Sequence, residues 1–71
     1  MKLPRNVSGA AASRALQRLG FTVTRQVGYH ARLVRGDRRV TVPMHRALAP
    51  GTLQSILRQA DVGLESFLDV L

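Results

Sequence analysis

Cysteine is absent from the 71 residues, and so is tryptophan. Without cysteine there can be no disulfide staple, no thiolate zinc site and no thiol nucleophile, and a reducing compartment fits. Acidic residues are scarce, 4 against 11 Lys and Arg, for a net charge of +7. No apolar run approaches the ~18 residues that a membrane helix needs. The start, Met1-Lys2-Leu3-Pro4-Arg5, is not followed by the apolar stretch of a signal peptide. These absences lead to the expectation of a soluble cytoplasmic protein with no membrane partner.

What remains suits one small globular unit, expected to span residues 1–71. Apolar residues make up 45% of the chain, enough for a core. A single core of this size is only marginally stabilising, so tight packing or a binding partner is expected to help. The positive charge is unevenly placed. Residues 1–46 carry ten basic side chains and one acid, whereas residues 47–71 carry one basic side chain and three acids. Ten of the eleven cations are arginine, whose planar donors suit phosphate better than a strongly hydrated ammonium does. Nucleic acid, or an acidic protein surface, is the partner such a field favours. The plainer alternative is a basic surface that serves solubility.

Hydrophobic spacing gives the order of elements. Ser8 is a helix-capping residue ahead of Ala12, Ala15, Leu16 and Leu19, which recur at helical spacing until Gly20 offers a left-handed stop. A helix is predicted near Gly9 to Leu19. From Phe21 the period becomes two, with β-branched residues that favour a pleated surface. A first strand carries Phe21 and Val23, a second carries Ala31 and Leu33, and a third, beyond Arg35-Gly36-Asp37-Arg38, carries Val40 and Val42. Residues 44–49 read as loop. Pro50 suits a first helical turn, and Leu53, Ile56, Leu57 and Ala60 form one stripe of a helix over Pro50 to Ala60. A last short helix follows Gly63, with Leu64, Phe67, Leu68 and Leu71 in line. The expected class is α+β, ordered α-β-β-β-α with a short extra helix, the helices covering one face of a three-stranded antiparallel sheet.

Register follows from the same alternation. A two-residue Gly36-Asp37 loop sets Leu33 opposite Val40, Ala31 opposite Val42 and His30 opposite Pro43. In the first hairpin, a loop of Gln26-Val27-Gly28 would set Phe21 opposite Leu33 and Val23 opposite Ala31. The sheet would then have one apolar face and one basic face, the latter holding His30, Arg32, Arg39 and Thr41.

His30 is the strongest candidate for chemistry. Imidazole exchanges a proton near neutrality, and neighbouring arginines would bind a phosphate on which that transfer acts. In RNA the adjacent 2′-OH can be the nucleophile, so no metal or other cofactor is required. A lone histidine is more often solvated or structural. His45, beyond Pro43, is a candidate second acid/base or phosphate donor, with a plain surface histidine as the alternative; two histidines without a third ligand make no zinc site. Arg25, Arg32, Arg35, Arg38, Arg39 and Arg46 cluster in and around the hairpins, suiting recognition of backbone and shape more than base stacking. They would equally serve to blunt sheet edges. Asp61, Glu65 and Asp69 read as a solvated helix face, and Ser8 and Ser13 lack the neighbours of a nucleophile.

Taken in order, these blocks carry a likeness. Ser8 through Phe21, Arg25-Gln26-Val27-Gly28-Tyr29-His30, Val40-Thr41-Val42-Pro43-Met44-His45, the run from Pro50-Gly51-Thr52-Leu53 to Ala60, and Phe67-Leu68 together resemble the HicA toxin pattern. The likeness covers nearly the whole chain. It implies a double-stranded-RNA-binding-domain-like fold, cleavage of mRNA as an mRNA interferase, and growth arrest relieved by a HicB-type antitoxin, with hetero-oligomer formation. It places the family's catalytic histidine at His30. The clustered Arg25, Arg32, Arg35, Arg39 and Arg46, with His45, are the candidates for RNA binding. The pattern is broken at two positions: Tyr29 stands where the family usually has Ser, and Asp61 where it usually has Gly after the second long helix. The alternative to a nuclease is a non-catalytic double-stranded-RNA-binding module.

Overall fold

The computed structural model describes residues 3–71. Its elements are α1 (Gly9–Arg18), β1 (Thr22–Val27), β2 (His30–Arg35), β3 (Arg38–Pro43), α2 (Pro50–Ala60) and α3 (Leu64–Val70). The three strands form one antiparallel sheet in the order β1-β2-β3. The class is α+β, as expected, and α2 begins and ends at the residues read from its apolar stripe.

Local chemistry explains where each helix starts and stops. The Ser8 hydroxyl accepts a hydrogen bond from the Ala11 N–H at 3.0 Å, satisfying a donor that the first turn of α1 would leave unpaired. Gly20, at φ +100°, then turns the chain into β1. Pro50 enters α2 at its first turn, and Asp61 ends it in the left-handed conformation at φ +55°. Asp tolerates that conformation better than most residues.

One face of the sheet is dry. Leu33 and Val42 are fully buried, with Ala31 and Val40 beside them, under Ala12, Ala15 and Leu16 of α1, Leu53 and Ile56 of α2, and Phe67 of α3. Each large apolar side chain removed from water in this way contributes about 1.5–3 kcal/mol before entropy is counted. The other face carries exposed Arg32, Arg39 and Thr41 and, among the described residues, no helix. The second hairpin follows expectation: Leu33 pairs with Val40, Ala31 with Val42 and His30 with Pro43, around Gly36 at φ +58°.

The first hairpin differs from expectation. Its loop is Gly28-Tyr29, not Gln26-Val27-Gly28, because β1 continues to Val27, which pairs with His30. Gly28, at φ +57°, holds the first loop position, where two-residue type II′ hairpins take glycine. Val23 therefore faces Leu33 rather than Ala31, and Phe21 lies buried ahead of the strand. A bulge between Val23 and Arg25 then breaks the alternation. Every residue of β1 is exposed, so the apolar face does not extend across this edge strand; the bulge and Arg25 disfavour pairing with another chain.

Candidate functional site

The bulge in β1 has a direct effect on the open face. Simple alternation from Val23, which faces Leu33 on the helix side, would put Arg25 on the helix side as well. The extra residue resets the count, so Arg25 pairs with Arg32 and Val27 with His30, and all four belong to the open face. Arg25, Val27, His30, Arg32 and Thr41 line one open concavity of about 460 Å³. His30 is exposed at its mouth end of β2. The imidazole is thus available to a ligand in solution and stands among guanidinium groups from two strands.

A second open concavity adjoins the first on the same face. Thr24, Arg32, Val34, Arg39 and Thr41 are among its lining residues. Arg32 and Thr41 belong to both, so cations continue from β1 across β2 to β3. The backbone is fixed there by the two ladders, and the Thr24 hydroxyl adds a bond to the Arg32 carbonyl at 3.3 Å. A polyanion laid over this face would meet Arg25, Arg32 and Arg39 in turn.

Other candidates lie elsewhere. Arg35 follows the alternation of Ala31 and Leu33 onto the helix side. There its guanidinium stacks 4.7 Å from the centre of the Phe21 ring and donates to the Leu19 carbonyl at 2.8 Å. It covers the core and caps the end of α1 instead of joining His30. Arg38 bridges Asp61 at 3.3 Å, with both side chains largely exposed. His45 and Arg46 sit exposed in the loop after β3, outside the residues that line the His30 concavity. The His45 carbonyl has a structural task, accepting the Gly9 N–H at 2.9 Å. Among the described residues, no three His, Asp or Glu side chains gather where a metal ion could be held.

Sequence reasoning placed Arg32, Arg39 and Thr41 beside His30 through the second hairpin, but its register for β1 would have turned Arg25 to the wrong face. That register leaves Val27 in the loop instead of opposite His30, and it keeps Thr24 on the open face, where Thr24 lines the second concavity. Only the Gly-x-His spacing hinted that Val27 would be opposite His30, through a two-residue turn.

Fold and site together define a small α+β domain that displays one imidazole among arginines on the uncovered face of a three-stranded sheet. A family model described as HicA toxin of bacterial toxin-antitoxin matches residues 11–62. The match runs from the first turns of α1, through the sheet and α2, to just past Asp61. The chain belongs to the HicA toxin family, and its class is the toxin component of a toxin–antitoxin system, whose partner is an antitoxin. No curated protein matches the chain. No helix among the described residues is long and apolar enough to cross a membrane.

Proposed function

We propose that this toxin is an endoribonuclease that cleaves mRNA in the cytoplasm through His30 and is silenced by a HicB-type antitoxin. The observation that carries the proposal is the exposed His30 in a concavity shared with Arg25, Arg32 and Thr41.

In this reading a phosphodiester anion rests against the Arg25 and Arg32 guanidinium groups, with Arg39 holding a neighbouring phosphate. His30 takes the proton from the 2′-OH as that oxygen attacks phosphorus while water protonates the departing 5′-oxygen, or His30 protonates the 5′-oxygen while water takes the 2′-OH proton. The P–O5′ bond breaks, leaving a 2′,3′-cyclic phosphate on one fragment and a 5′-hydroxyl on the other. Acid/base assistance of this kind is worth ~10²–10⁴-fold. The rest of the acceleration comes from arginines fixed on a sheet, whose charge meets the developing phosphorane without reorganising. No step is routed through a metal ion. A protein that covers the same face with carboxylates would exclude RNA by the attraction that recruits RNA, which is the role given to the antitoxin.

The test is product analysis on a purified RNA and on DNA of the same sequence. RNA should yield cyclic-phosphate ends, and DNA, which has no 2′-OH, should remain whole. His30→Ala should lose cleavage and growth arrest while its circular dichroism stays that of the parent. Cutting by a nuclease-free His30→Ala preparation would remove His30 from the mechanism. RNA that is bound by the parent protein and never cut would leave only a non-catalytic RNA-binding module.

A further inference from the structure

Phe21 and Phe67 are buried in the core at 3% and 0% exposure, whereas Tyr29, the one other aromatic residue, is 74% exposed. It is the second residue of the β1–β2 turn and immediately precedes His30. Val27, which lines the His30 concavity, is 54% exposed as well. The fold gains little from the Tyr29 ring and only part of what full burial of Val27 would give, since exposed apolar surface contributes no burial energy. The turn backbone, in contrast, is held: the Tyr29 carbonyl accepts the Met44 N–H, and the next residue along that loop, His45, accepts the Gly9 N–H. A held turn therefore presents an exposed aromatic ring one residue before the candidate catalytic histidine.

Resting on the ribonuclease reading above, we propose that Tyr29 stacks on an unpaired nucleobase beside the scissile phosphate and so makes single-stranded RNA the substrate of this site. The arginines supply attraction for any phosphate chain and do not by themselves separate single from double strands. An aromatic face does, because the bases of a duplex are already stacked on one another and only an unpaired base offers a free π-surface. A small ring on a two-residue turn can reach one base and is not a platform for several. The exposed Arg25 and Arg32 on the two strands that this turn joins favour a nucleic acid over an apolar protein partner as the occupant.

The chain holds one tyrosine and no tryptophan, so its tyrosine emission reports on this position alone. The experiment uses the full chain carrying His30→Ala, so that RNA survives titration. Three probes of equal length are compared: a single-stranded RNA, the same strand in a duplex, and an abasic sugar–phosphate oligomer. The single strand should change the emission and the other two should not. Adding Tyr29→Ala should weaken single-strand binding by roughly five- to 100-fold, while Tyr29→Phe, which keeps the ring, should restore it. Affinity for the abasic oligomer should be the same in all three variants.

Equal single-strand affinity with and without the ring would overturn the proposal, and the exposed aromatic would then belong to a protein-docking surface. An emission change that the abasic oligomer reproduces would overturn it too. The two readings fail separately. Stacking signals with no cleavage by the parent protein would sink the nuclease and keep the stacking residue, and cleavage with no stacking signal would do the reverse.

Discussion

Two arginines three residues apart on β2 illustrate how one chemical group serves two ends. Arg32 lies on the uncovered face and lines both concavities, whereas Arg35 stacks on Phe21 and bonds the Leu19 carbonyl. Exposed cation–π stacking is worth about 0.5–1 kcal/mol and a hydrogen bond a similar amount. Arg35→Ala should therefore lower stability by about 1–2 kcal/mol and leave the rate of RNA cleavage per folded molecule unchanged. Arg32→Ala should do the opposite, weakening cleavage at least tenfold with the melting temperature within a few degrees of the parent. Thermal melts and initial rates on one RNA check both, and a cleavage defect in Arg35→Ala at full folding would give that residue back to the substrate face. The exposed pair Arg38 and Asp61 is the kind that contributes little, with a usual range of about 0–1 kcal/mol.

Between elements, the backbone approaches closely at Gly9, where α1 starts against the end of β3. A Cβ there would overlap the Pro43 carbonyl oxygen and stand 2.7 Å from Met44 Cα. Gly9 is also the donor to the His45 carbonyl, so this contact ties α1 to the loop that follows β3. Alanine favours helix over glycine by at most about 1 kcal/mol, while forcing backbone apart in a packed site costs typically 1–3 kcal/mol. The clash should win. Gly9→Ala is expected to lower the melting temperature by roughly 5–10 °C, as read by calorimetry, and an unchanged value would mean that α1 and this loop are not closely docked. The hairpins make a different demand: Gly28 and Gly36 have open space around them but positive φ values, so backbone strain rather than crowding calls for glycine there.

Across the whole molecule the charge is split. Ten of the eleven basic residues precede position 47, and three of the four acids follow it. In the folded chain this places Arg25, Arg32 and Arg39 on the open face of the sheet, with Glu65 and Asp69 on α3 beyond the covered face. Binding of a single strand to such a face should fall with salt, by a log–log slope of about −0.7 for each phosphate neutralised. In the His30→Ala background, Arg32→Ala and Arg39→Ala should each reduce that slope by about 0.7, and Arg35→Ala should not. Anisotropy titrations of a labelled oligonucleotide at several salt concentrations decide the matter; slopes that ignore Arg32 and Arg39 would move the RNA to another surface. Antitoxin binding to the same face should compete with RNA in these titrations and show its own decline with salt.

Much of this architecture is legible from local patterns. The apolar stripe of Leu53, Ile56, Leu57 and Ala60 bounds α2, Ser8 and Gly20 bracket α1, and Gly36-Asp37 sets the register that puts Arg32, Arg39 and Thr41 on the face of His30. Periodicity and turn chemistry act over a few residues, so a sequence states them directly. The β1 register, the bulge that turns Arg25 toward His30, and the loss of Arg35 to Phe21 and Leu19 are tertiary outcomes. Each depends on how β1 meets a neighbouring strand and how far the helices cover the sheet, a competition between distant surfaces that no local spacing records.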